Sequence, residues 1–163
     1  MLRGMRALPL LCCAAVGAAA SAEEGDHGHG DLWRSHPHHA SVVLGGTWHG
    51  HEEAETIGLD YEYRLNRTLG LGAVLEYAAD PLETTTFLVV ADIHVWRGLA
   101  IQTGPGIEHI EEEHGDDEDL FVYRIGALYE VEYGNFTISP QLHLDVTDEN
   151  DSIIGAIAIG WAF

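Results

Sequence analysis

The feature that most constrains this chain is a strict two-residue alternation of apolar and polar side chains, repeated in runs of about ten residues from residue 39 onward. In one run Ile57, Leu59, Tyr61, Tyr63 and Leu65 fall on one side, and Thr56, Gly58, Asp60, Glu62 and Arg64 on the other. Successive side chains of a β-strand point to opposite faces, so the pattern predicts strands with one apolar and one polar face. The alternation recurs in Leu69, Leu71, Ala73, Leu75 and Tyr77, and again in Thr85, Phe87, Val89, Ala91, Ile93 and Val95. Runs over 98–110, 119–133, 135–147 and 152–163 follow, and Ala40, Val42, Leu44, Gly46 and Trp48 mark a first one, giving eight in all. The connections at Asn66-Arg67, Trp96-Arg97-Gly98 and Gly134-Asn135 read as tight hairpin turns. Those at Gly50 to Glu55, Asp80 to Glu83, Glu111 to Asp119 and Asp148 to Asp151 read as longer, acidic loops, so short and long connections alternate.

Alternation alone does not say which face is inside, because a soluble sandwich or barrel would turn the apolar face inward. The runs are long for a soluble sheet, they follow one another without a helix, aromatic residues gather near their ends, and the last residues are Trp161-Ala162-Phe163. Transmembrane strands need about nine to eleven residues. The expectation is therefore an all-β fold, an eight-stranded antiparallel up-and-down transmembrane β-barrel over residues 39–163, with polar side chains facing its lumen. The lumen-facing set contains Asp60, Glu62, Arg64, Glu76, Asp92, His94, Glu108, Arg124, Glu130, Glu132, His143 and Asp145. Eight strands leave room only for side chains, which argues against a diffusion pore and for an internal salt-bridge network. A proton or cation relay has the excess of acids as its only support.

Residues 1–22 read as a secretory signal peptide: Arg3 and Arg6, an apolar run from Ala7 to Ala20, and Ala20-Ser21-Ala22 before Glu23. Both cysteines, Cys12 and Cys13, fall within it, so no disulfide or thiolate site is expected beyond it. The formal charge is −20, and removing Arg3 and Arg6 leaves −22. There is no lysine, and a surface of this sign repels phosphate backbones, which excludes nucleic-acid binding. Residues 23–38 are expected to be a mobile, His-rich periplasmic segment.

These features resemble the small outer-membrane β-barrel proteins of Gram-negative bacteria, of the OmpA and OmpX type. The stretches 60–65, 70–77 and 104–108 are also similar to a set of uncharacterised barrels with His-rich N-termini. The resemblance implies a location in the outer membrane after passage through the periplasm. It also implies recognition of the terminal aromatic strand by the barrel-assembly machinery, and contact with outer-membrane lipid and lipopolysaccharide. A monomer is expected. The resemblance carries no catalytic residues across.

Two groups of candidate metal ligands stand out. His27, His29, His36, His38 and His39 precede or open the first strand, and His49, His51, Glu52, Glu53, His114 and Asp116 lie at the opposite, loop end. Imidazole and carboxylate together suit Zn²⁺ or another divalent cation, although the spacing matches no closed structural zinc motif. The bland reading of both groups is a solvated polar tract. With the two groups separated by a membrane thickness of roughly 30 Å, one ion cannot be shared. No other cofactor is expected. The function expected is a non-porin barrel with a structural or surface-interaction role. The alternative is a lipid-modifying enzyme of the deacylase or acyltransferase barrel type, against which stands the lack of a serine spaced to meet His143 or His109.

Overall fold

The computed structural model describes residues 36–110, 118–148 and 151–163, and these contain strands and turns but no helix. The strands are β1 His38–His49, β2 Glu52–Arg64, β3 Leu69–Ala78, β4 Thr84–Trp96, β5 Leu99–Ile110, β6 Glu118–Tyr129, β7 Val131–Tyr133, β8 Phe136–Thr147 and β9 Asp151–Ala162. Segments β6 and β7 are two parts of one stave interrupted at Glu130, so the barrel has eight staves. Each stave runs antiparallel to its neighbours, in chain order. The ring closes where β1 pairs with β9, from His39 opposite Ala162 to His49 opposite Ser152. Closure matters because it leaves no sheet edge with unpaired backbone groups, the condition for strands to cross lipid.

The apolar face is the outer one. Leu59 and Val89 are 58% and 56% exposed, while Val90, one residue along, is 1% exposed. Tyr61, Tyr63, Trp96, Tyr129, Tyr133, Trp161 and Phe163 are exposed around the end that carries His38 and Phe163. Trp48, Tyr77, Phe87 and Phe121 are exposed toward the other end, and aliphatic side chains fill the band between. Two aromatic girdles flanking an aliphatic band are what a bilayer-spanning barrel presents to its interfaces.

Three hairpins follow the sequence reading. Asn66 closes the β2–β3 turn by accepting hydrogen bonds on Oδ1 from the backbone N–H of Thr68 and Leu69, at 2.9 and 3.1 Å. Gly98 and Gly134 supply the positive φ of the other two. One connection differs: the expected loop at Gly50 to Glu55 is a turn of Gly50 and His51 only, and β2 starts at Glu52. The run Glu52-Glu53-Ala54-Glu55 has a loop's composition, yet its register against Trp48 and His49 keeps the alternation, with Ala54 buried between two exposed glutamates. The N-terminal boundary also moves by one residue, because His38 is the first residue of β1. The 23–35 segment, and with it most of the expected His-rich tract and the expected signal peptide, lies outside the described residues, as do 111–117 and 149–150.

Inside, glycines let long polar side chains lie against the wall. A Cβ on Gly126 would collide with the His143 ring, and one on Gly70 with the Glu62 carboxylate. Two small apolar clusters, Val43 with Ile154, Ala156 and Ala158, and Val74 with Leu88, Val90 and Val122, share the lumen with the charged groups.

Candidate functional site

The lumen charges are organised in layers, each set by strand register. In the layer toward the loop end, Arg124 of β6 lies between Asp145 of β8 and Glu76 of β3. Its Nε donates to Asp145 Oδ1 at 2.7 Å, and one terminal nitrogen donates to Asp145 Oδ2 and Glu76 Oε2, both at 2.6 Å. The planar guanidinium fork suits this bidentate arrangement. At the opposite end, Arg64 of β2 donates to Glu62 Oε2 at 3.1 Å and to Glu130, and His94 Nε2 donates to the second Glu62 oxygen at 2.7 Å. His39 Nε2 lies 2.7 Å from Thr137 Oγ1. Between the two layers the Gln102 amide donates to Asp60 and Asp92, at 3.1 and 3.0 Å, and His143 Nε2 donates to Gln141 Oε1 at 3.1 Å. The midsection thus joins charged layers through neutral amides and apolar side chains, an arrangement suited to plugging the lumen.

Space within the barrel is correspondingly uneven. Two cavities toward the His39 end measure about 10 and 20 Å³, room for a water at most. At the loop end a vestibule of about 530 Å³ opens, walled by the ends of β1 to β5, β8 and β9 and floored by Arg124, Glu76 and Asp145. Six carboxylates line it.

The expected metal ligands do not gather as two intact sets. His38 and His39 are adjacent in sequence and therefore on opposite faces. His38 is on the outside, where Nδ1 lies 2.7 Å from the Tyr61 hydroxyl and the ring stacks on Phe163. His39 is inside, where His39, Glu62 and Glu130 each offer a ligand atom within 4.8 Å of the others. His36 borders a small cleft with His39 and Glu132. At the other end His49 and Glu52 line the vestibule, but Glu53 pairs with Trp48 on the outer face and His51 is exposed in the turn. His27, His29, His114 and Asp116 lie outside the described residues. The His39–Glu62–Glu130 triad is hidden in the sequence because His39 reads as part of a His-rich tract. Extending the β1 alternation back from Val43 and Ser41 is the signal that finds it.

The barrel seam also brings together a pair that local spacing does not reveal: His49 Nδ1 lies 2.8 Å from Ser152 Oγ. A hydrolytic triad needs a third, orienting acid on the other ring nitrogen. Among the described residues no carboxylate hydrogen-bonds to His49.

No family model and no curated relative matches this chain. Solved structures do. The N-terminal β-barrel domain of Pseudomonas aeruginosa OprF is similar with a TM-score of 0.63 at 16% identity, covering 77% of this chain and 97% of that one. Yersinia pestis Ail, in a phospholipid bilayer nanodisc, is similar with a TM-score of 0.51 at 13% identity, covering 77% and 99%. A de novo designed transmembrane β-barrel is similar with a TM-score of 0.50 at 14% identity, covering 77% and 95%. At these identities the likeness lies in the fold. The chain has the closed, eight-staved architecture of small outer-membrane β-barrels, with the apolar outer face that this architecture places in lipid.

Proposed function

We propose that this protein is a secreted, monomeric, non-porin barrel of the Gram-negative outer membrane, with a structural or surface-interaction role and no catalytic activity. The observation that carries the reading is the plugged lumen: below the vestibule the described cavities hold about 20 Å³ or less, far too little for solute passage. The exposed aliphatic band requires lipid around it, and the assembly machinery and lipopolysaccharide are the expected contacts. Heat-modifiable gel migration of outer-membrane fractions tests it; a band that does not shift on boiling, or a protein recovered in the soluble fraction, overturns it.

Divalent metal binding through the histidines is part of the same proposal. Its support is the close grouping of His39, Glu62 and Glu130, to which His36 is adjacent. Arg64 competes for both glutamates, so an ion there has to displace a guanidinium. Zn²⁺ titration by calorimetry, with His39→Ala as the comparison, decides it. Equal heats from both proteins place any bound ion elsewhere.

The His49–Ser152 pair favours a second reading, a lipid-modifying enzyme. It ranks below the first because both side chains face the vestibule and not the lipid-exposed wall. Mass spectra of outer-membrane lipid that differ between wild type and Ser152→Ala cells would establish it.

A further inference from the structure

The vestibule has a chemistry of its own. Glu52, Glu76, Asp80, Glu83, Glu108 and Asp145 face into one cavity of about 530 Å³, against a single guanidinium, that of Arg124. Arg124 is already committed to Glu76 and Asp145. Walls of low polarizability concentrate such a field, so the cavity is a trap for positive charge.

Glu108 makes the trap specific. Its side chain is 7% exposed, it lines the vestibule, and among the described residues it has neither a hydrogen bond nor an ion pair. Asp145, His49 and Arg124 are the ionisable groups nearest to it on the vestibule wall. Its carboxylate oxygens are not sealed off but open onto the cavity, so the partner that offsets their partial desolvation has to come from what the vestibule holds. Among the described residues no side chain supplies that partner.

Two cation classes fit the sign, and geometry separates them. A chelated metal ion needs three or more ligand atoms converging on one point. Among the described residues the one group of three with ligand atoms that close is His39, Glu62 and Glu130, at the far end of the barrel. The vestibule carboxylates are instead spread around a space of the size that holds small organic ligands. We propose that the vestibule binds an extended organic polycation, a linear polyamine with several ammonium groups. One ammonium would be held by Glu108 deep in the wall and others by Asp80 and Glu83 at the rim. The binding depends on the folded barrel alone, whatever its membrane.

The experiment is calorimetric titration of spermine into the refolded full-length mature protein in detergent. Saturable one-to-one binding is expected, weakening as salt is raised. Glu108→Gln, with retained heat-modifiable migration as the check of folding, should lose about ten-fold in affinity, the scale of one charge-assisted contact. Should that variant fail to fold, Asp80→Asn with Glu83→Gln, both in the β3–β4 connection, should lose at least as much. Glu53→Gln, close by in sequence but on the outer face, should bind as wild type. Absence of saturable heat overturns the proposal. So does equal weakening by Glu53→Gln and Glu108→Gln, which would mean diffuse attraction. Displacement of spermine by Zn²⁺ in a Glu108-dependent manner would make the site metal-selective, and overturns it as well.

Discussion

Arg124 shows what a single residue does in this barrel. It is 1% exposed, carries the only arginine charge in its layer among the described residues, and is held by three short contacts to two acids on different staves. Removing it leaves Glu76 and Asp145 buried without compensation, which is far more costly than the net worth of the ion pair itself. Arg124→Met is expected to destabilise the barrel by about 3–5 kcal/mol, read from urea unfolding in detergent or lipid. Adding Glu76→Gln and Asp145→Asn to that variant should recover most of the loss, since the two acids that Arg124 pairs with are then neutral. Recovery of none of it would mean that the side chains matter through packing. Gly126 makes the complementary point: Gly126→Val should misplace His143, whose ring occupies the space of the new Cβ, and lower the unfolding midpoint.

Strands were the most readable level, and the reason is periodicity. A period of two assigns every residue of a run to a face once one residue is assigned. Hence Tyr61, Leu71 and Phe87 are found outside and Glu62, Glu76 and Asp92 inside, as their spacing indicates. Composition misled where it competed with period. Glu52 to Glu55 has the composition of a loop because three of its four residues are acidic, and His39 sits in a His-rich stretch although its parity matches Ser41 and Val43. The vestibule and the His49–Ser152 pair were invisible for a different reason: they arise from β1 meeting β9, a contact over a hundred residues apart in sequence that no local pattern encodes. Spin labels check the faces directly. Labels at Leu59, Leu71 and Val89 should be quenched by lipid-soluble oxygen, and labels at Gly58, Gly72 and Val90 should not; the opposite pattern would require an apolar interior. The end of β9 offers a second measurement. Phe163 exchanges backbone hydrogen bonds with His38, at 2.8 and 3.1 Å, and stacks on its ring. Removing Phe163 should reduce the amount of inserted, heat-modifiable protein, and unchanged membrane levels would show that the seam closes without it.

At the scale of the whole molecule, the lumen divides into an accessible acidic mouth and a filled remainder. Planar-bilayer recordings of the purified protein should show no steady ion conductance, because apolar clusters and amide-bridged acids occupy the path below Arg124. A stable open channel would contradict the plugged interior. Six of the 27 acids line the mouth against one arginine, so what enters it meets a strongly negative wall.

The seam between β1 and β9 has a consequence for how the molecule comes into being. Every other stave pairs with the next one along the chain, so hairpins can form locally, but the ring is complete only when its first and last strands find each other. Such high-contact-order closure is intrinsically slow. Until it happens, two edges with unsatisfied hydrogen-bonding groups and a broad apolar surface are open together, a combination that templates aggregation as readily as native pairing. A chain of this design is safest when its termini are kept apart from other copies until lipid is at hand.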